Sequence, residues 1–270
     1  MAPDAKAQAK AEQSLTSRMG ALDLEAHLRD PARKQSFVTP MFDIIAPRYD
    51  DFTRLFSFGM DAGWKRAAIA AAVASRRDSS ERCDVLDLAT GTGDLAVGIA
   101  RALPRARVVA LDASTRMIAA ADARLATRDR DVAPRVYTML GDMSALSATD
   151  ASVDLVTAGY ALRNVPSVGV ALREIRRVLR PGGRLVLLDF YRPAFAPWRA
   201  LLLGYLQAAG NTVGWWWHRD PVVYGYIARS IEHFMSWQQC SAALEQHGLR
   251  VMRVTRYLGG GVARHEATAV

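Results

Sequence analysis

The chain has 270 residues, enough to bury a full core in one domain with a decorated end. Half of them are hydrophobic and 23% are charged, the usage of a soluble globular protein; no run of 18 uncharged apolar residues appears, which excludes a spanning helix. Two cysteines, Cys83 and Cys240, exclude a disulfide framework or a zinc site of their own, and the formal charge of +8 rests on 35 basic residues of which four are lysines. That surplus reads as a solvated basic surface, or as attraction to anionic lipid headgroups. No aromatic-interleaved basic patch supports nucleic acid as a partner. MAPDAKAQAKAEQSL lacks the apolar stretch of a secretory signal, so the expected compartment is the cytoplasm.

Along the chain, residues 1–32 are alanine-rich and weakly patterned and are expected to form a mobile or weakly ordered tail. Residues 33–270 are expected to form one domain, opened by a helical cap (33–78) whose apolar residues recur at helical spacing in 41–73. Short apolar runs then alternate with helical patterns. CDVLDL (83–88), RVVALD (107–112), RVYTML (135–140), VDLVTAG (153–159) and RLVLLDF (184–190) read as strands, with helices near 94–102, 114–126 and 168–179. Such alternation implies a parallel sheet with helices on both faces. PGG at 181–183 reads as a turn feeding the fifth strand. Residues 191–248 are expected to form a helical substrate-side region. LRVMRVTRY (249–257) and VARHEATAV (262–270), separated by GGG, then read as an antiparallel hairpin. The fold class is α/β: a Rossmann-like doubly wound sheet of parallel strands plus a C-terminal antiparallel hairpin.

A ligand constellation sits within this frame. The first strand carries Asp87 near its end and leads into Gly91-Thr92-Gly93, where glycines let backbone approach a ligand closely. The helix that follows offers free N–H groups to a carboxylate. Taken alone, Gly91-x-Gly93-x-x-Ala96 also fits a dinucleotide loop. Asp112, ending the second strand, suits ribose hydroxyls in either case. Asp142, after the third strand, separates the two readings, because an acid there suits the exocyclic amine of adenine. The segment Leu162-Arg163-Asn164-Val165 after the fourth strand has no counterpart in nicotinamide enzymes. Together these features specify S-adenosylmethionine, whose methionine carboxylate would meet the helix N-terminus.

From about residue 33 the chain resembles the ubiquinone/menaquinone-biosynthesis C-methyltransferases, the UbiE/MenG group of class I methyltransferases. The resemblance is carried by MFDIIAPRYD (41–50), SFGMDAGWKR (57–66), VLDLATGTGDLA (85–96), LDASTRM (111–117), LRNV (162–165), ALREIRRVLRPGGRLVLLDF (171–190), YGYIARSI (224–231) and GVARH (261–265). It implies that Thr92, Asp112, Asp142 and Met143 contact the cofactor. It also implies that Gly159 occupies a contact position usually held by serine, and that the N-terminal segment closes over the cofactor through Tyr49. Ala113, next to Asp112, belongs to the same expected set.

The implied reaction is methylation of a ring carbon of a prenylated quinol, most simply demethylmenaquinol or the equivalent ubiquinol precursor. Carbon is a poor nucleophile until the neighbouring hydroxyl ionises. Arg163 is the expected stabiliser of that phenolate, since arginine is no free base. Its alternative is an ion pair with a structural carboxylate such as Asp50. Asn164 would orient the ring hydroxyl, Tyr49 would close the site or simply pack, and His233 and His265 are candidate proton acceptors. Departures from the family pattern are Thr53 for asparagine, Tyr160-Ala161 for Phe-Gly, Leu146-Ser147-Ala148 for Leu-Pro-Phe, and the whole of 206–221. They fall where substrate is expected, and Trp215-Trp216-Trp217 within 206–221 would serve a prenylated ring, an interface or packing. The expected partners are therefore a hydrophobic quinol or aromatic small molecule, a peripheral membrane contact and a homodimer. A methyltransferase of a small aromatic or polyketide-type natural product is the alternative, and a cofactor-fold protein without methylating activity is a distant third.

Overall fold

The computed structural model describes residues 31–74, 81–218 and 222–270. Three helices open the described chain: α1 (Pro31–Ile45), α2 (Tyr49–Phe56) and α3 (Met60–Ala74). An alternating series follows: β1 (Cys83–Leu88), α4 (Asp94–Ala102), β2 (Ala106–Asp112), α5 (Thr115–Thr127), β3 (Val136–Leu140), β4 (Val153–Gly159), α6 (Val168–Val178) and β5 (Leu179–Phe190). Helices α7 (Ala196–His218), α8 (Val222–Glu232) and α9 (Trp237–Gln246) lead to β6 (Leu249–Tyr257) and β7 (Val262–Ala269). The tail expected for residues 1–32 lies almost entirely outside the described residues.

The seven strands form one sheet in the order β3-β2-β1-β4-β5-β7-β6, with β1 to β5 parallel and β7 antiparallel to both β5 and β6. Central strands are apolar almost throughout because helices cover both faces; in β4, Val153 and Leu155 to Ala158 are buried. Helices begin where short hydroxyl side chains accept orphan backbone N–H groups. Ser114 caps α5 through the Met117 N–H at 3.1 Å, and Ser236 with Gln239 forms a capping box on α9.

Two differences from the sequence expectation concern local geometry. PGG does not precede β5 but lies inside it, as an irregularity rather than a boundary. The register against β4 jumps from Val153↔Leu179 to Leu155↔Arg184, and Gly182 takes φ 76°, a conformation that favours glycine. The strand is therefore longer than RLVLLDF. Leu146-Ser147-Ala148 also lines none of the cavities at the carboxyl ends of β1 and β4: Leu146 is buried in the core, and Ser147 and Ala148 line a separate groove with Asp84, Arg107 and Met139.

The chain winds outward from β1 through β2 to β3, then returns to place β4 on the other side of β1. At that reversal the connecting helices leave in opposite directions, opening a crevice at the carboxyl ends of β1 and β4. A hydrophobic cluster roofs it, in which Phe37, Met41 and Ile44 of α1 and Phe52 of α2 pack with Leu202 and Leu206 of α7 and Tyr226 and Ile231 of α8.

Candidate active site

The crevice holds a cavity whose wall includes Gly91, Asp112, Ala113, Asp142, Met143, Gly159 and Asn164, with Gln35, Val38 and Phe42 of α1 overhead. Asp112 is held in place by the backbone: one carboxylate oxygen accepts the Gly91 N–H at 2.8 Å and the other the Ser114 N–H at 2.9 Å. Burial pushes its pKa up, against these bonds. Asp142 accepts the Ser144 N–H through Oδ1 at 2.7 Å, in the local turn favoured by aspartate. Gly91 passes beneath Tyr49, whose ring carbon would stand 3.6 Å from any Cβ there. At Gly141 a Cβ would meet Leu111 at 2.9 Å.

A narrower extension lies over the glycine turn, lined by Asp87, Thr90, Thr92, Asp94, Lys65 and Tyr49. Asp87 is wholly enclosed, taking the hydroxyls of Thr90 and Thr157 at 2.6 Å each. Burial pushes it up to about 6. Thr92 donates its hydroxyl to Asp50 at 2.7 Å, so Asp50 is occupied there and is not the partner of Arg163. Gly93 lines neither space; at φ 87° it caps α4 and turns the chain into the helix. These residues fit S-adenosylmethionine: acids at the ends of β2 and β3 face one cavity, which is continuous in its wall with an opening at a helix N-terminus.

A second cavity, mainly apolar, adjoins the first. Met41, Phe42, Ile45, Phe52, Phe56, Phe190 and Leu206 line it, with polar members that include Tyr49, Ser57, Asp61, Tyr160 and Arg163. Tyr49 and Tyr160 belong to the walls of both cavities and of the extension over the glycine turn. Burial raises the Tyr49 phenol, opposed by the charges of Lys65 and Arg163. Thr53 spends its hydroxyl on the Tyr49 and Asp50 carbonyls at 3.1 Å.

Arg163 is 6% exposed and sits in a short 3₁₀ turn after β4. Its Nη1 donates to Asn164 Oδ1 at 3.0 Å and to Ser230 Oγ at 3.2 Å, and its Nε lies 3.5 Å from Asp189. Asp189 is fully buried at the end of β5, and burial pushes it up to about 6 despite the adjacent guanidinium. Asn164 is committed to the protein, accepting from Arg163 and Tyr226 and donating to the Tyr160 carbonyl at 2.8 Å. It lines the cofactor-side cavity and not the apolar one. Lys34 of α1 is lowered to about 8 by burial and then by Arg163, so the cap brings a further titratable group to this pair.

Neither histidine lies in these walls. His265 is buried between Tyr191, Ser241 and the Trp237 carbonyl, and burial lowers it to about 4; His233 is exposed and bonded to the Arg229 carbonyl. The tryptophan run falls within α7, but its side chains lie outside the described residues. Tyr160 stands where the sequence departs from the family pattern, whereas Lys34 and Asp61 carry no local signature; the signal for Asp189 is an acid at the end of LLDF, as for Asp112 at the end of β2.

Comparison with known proteins gives this geometry its family. The model of the ubiE/COQ5 methyltransferase family matches residues 30–269. The ubiquinone/menaquinone biosynthesis C-methyltransferase UbiE of Syntrophotalea carbinolica is 37% identical over 83% of this chain and 90% of its own. The demethylmenaquinone methyltransferase of Beutenbergia cavernae is 36% identical over 86% and 91%. Among solved structures, a SAM-dependent methyltransferase from Aquifex aeolicus shares the fold with a TM-score of 0.56 at 18% identity, covering 84% of this chain and 98% of its own. Family model, relatives and fold agree, and the chain belongs to the ubiE/COQ5 methyltransferase family.

Proposed function

We propose that the chain methylates a ring carbon of a prenylated quinol, demethylmenaquinol or the equivalent ubiquinol precursor. The observation that carries the reading is an apolar cavity, with a buried arginine in its wall, sharing Tyr49 and Tyr160 with the acid-lined cavity. The cofactor is S-adenosylmethionine, which when bound supplies an electrophilic methyl carbon whose sulfur keeps the bonding pair as the new carbon–carbon bond forms. Asp112 and Asp142 are suited to its ribose and adenine, and the α4 N-terminus beyond Gly93 to its carboxylate.

The protein's part is to bring a ring carbon into line, exclude water and favour the phenolate. The Arg163 guanidinium supplies positive charge to an ionised ring oxygen in a setting from which water is excluded. Asp189 and Asn164 fix the guanidinium plane. The ring hydroxyl proton leaves before transfer; after it the methylated carbon loses its proton and the ring oxygen regains one, so each turnover releases one proton to solvent. A groove bounded by Phe56, Phe190, Trp198, Leu202 and Leu206 shares residues with the apolar cavity and reaches the surface near Phe58, 72% exposed, and Leu201, 64% exposed. It suits a prenyl tail and a peripheral contact with an anionic bilayer. Among the described residues no helix is long and apolar enough to cross a membrane. The expected cytoplasmic location accords with such a surface contact, and the expected homodimer is checked by light scattering.

Turnover against demethylmenaquinol, the ubiquinol precursor and a panel of small phenols tests the reading. Arg163→Ala should lower quinol turnover about 100-fold, the usual loss of one oxyanion stabiliser, while cofactor binding stays within threefold. Binding of cofactor without methylation of either quinol would refute the proposal, and turnover confined to small phenols would favour a natural-product substrate.

A further inference from the structure

Four buried side-chain polar atoms among the described residues lack a hydrogen-bond partner, and two of them, Tyr160 Oη and Arg163 Nε, belong to residues in the wall of the apolar cavity. A buried unpaired phenol is costly, and native proteins rarely keep one without use. Tyr160 also sits at φ 59°, a left-handed conformation unusual for a bulky side chain. It is held there by its N–H bond to the Leu188 carbonyl at 2.7 Å and by its ring, whose centroid lies 5.3 Å from that of Phe190. Strain of this kind points to function when found beside a cavity.

The neighbours do not satisfy the hydroxyl. Asp61 shares the wall, yet it takes Ser57 Oγ at 2.9 Å and Lys65 Nζ at 3.2 Å. Lys65 stands over the Tyr160 ring at 6.0 Å from its centroid and donates to Asp94. Burial raises the phenol well above its ordinary value, so it stays protonated and serves as a neutral donor. It is also the residue at which the chain departs from the phenylalanine of the family pattern.

On the reading of the apolar cavity as the substrate site, we propose that the Tyr160 hydroxyl donates a hydrogen bond to a ring oxygen of the substrate, pairing with Arg163 as a two-donor clamp on the phenolate. The ring oxygen lies between a neutral donor and a cation, and Tyr160 fixes which ring carbon faces the cofactor cavity. A substrate lacking an oxygen beside the reacting carbon gains nothing from it. Tyr160 is thus a specificity-determining residue for oxygenated rings.

Tyr160→Phe tests this because it removes one oxygen and keeps the ring on Phe190. The probe is 4-nitrophenol, whose anion absorbs in the visible, titrated spectrophotometrically into the full-length protein with and without S-adenosylhomocysteine. The wild type should bind the anion in preference to the phenol. The variant should bind it about 10-fold more weakly and raise the bound probe's pKa by about one unit, since one unit corresponds to a tenfold change in that preference. Affinity for S-adenosylhomocysteine should stay within twofold, and the melting temperature should hold or rise, as an unpaired buried hydroxyl is lost. With demethylmenaquinol as substrate, kcat/KM should fall about 10-fold. Unchanged probe binding, no probe binding by the wild type, a defect in S-adenosylhomocysteine affinity, or a lowered melting temperature would each overturn the clamp. Wild-type protein that shows the probe shift but turns over no quinol would refute the quinol reading and leave the clamp standing.

Discussion

Replacing Asp112 by alanine separates two roles that its carboxylate combines. In the protein it accepts the Gly91 and Ser114 N–H groups at 2.8 and 2.9 Å while lining the cofactor cavity. A carboxylate has about four acceptor positions, so two remain for the ribose hydroxyls. Hydrogen bonds to a charged group contribute about 1.5–3 kcal/mol each, and two at the lower end give about 3 kcal/mol, a loss of roughly 150-fold in cofactor affinity. Releasing the two backbone donors costs stability as well, about 2 kcal/mol, or a fall of about 5 °C in melting temperature for a chain of this size. Calorimetric titration of S-adenosylhomocysteine gives the first quantity and a thermal melt the second. If affinity falls less than threefold while the melt falls as expected, Asp112 only staples the glycine turn and its assignment to the ribose is wrong.

Three further outcomes follow from neighbouring geometry. Asp189 and Asp87 are both held near 6, above their ordinary value, so the folded state binds more protons than the unfolded state between about 4 and 6. Their contribution therefore lowers stability as pH rises through that window. The wild type should lose less stability between pH 7 and pH 5 than other acid-sensitive proteins, and Asp189→Asn should remove part of that protection; melts that show no difference between the two would refute it. Asp189→Asn should also lower turnover at least tenfold at pH 7.5 by freeing the guanidinium of Arg163, and kinetics within twofold of wild type would show that the pair is not needed. Gly141→Ala should weaken cofactor binding about tenfold, since its Cβ meets Leu111 at 2.9 Å and Leu111 lines the cavity; unchanged affinity would mean that Leu111 moves freely.

Much of the scaffold was legible because periodicity and end residues are local. CDVLDL and VDLVTAG become strands with the bounds read from them, and the alternation of strands and helices implied the parallel sheet. Asp112 and Asp142 were legible for the same reason: strand ends of this fold point towards the crevice. PGG reads as a turn ahead of the strand because a glycine-proline cluster signals irregular backbone without saying whether the strand continues through it. Which carboxylate meets Arg163 is a longer-range matter. Asp50 and Asp189 are both distant in sequence, and only strand order sets Asp189 beside the turn after β4.

The sequence by itself determined the sheet, the cofactor and the family, because each rests on short motifs whose spacing the backbone converts directly into position. The tertiary structure decided what the polar side chains do. It turned Asn164 towards protein partners and buried His265 away from both cavities. It left the Tyr160 hydroxyl without a partner beside Arg163, since hydrogen bonding and burial depend on which elements the fold brings together.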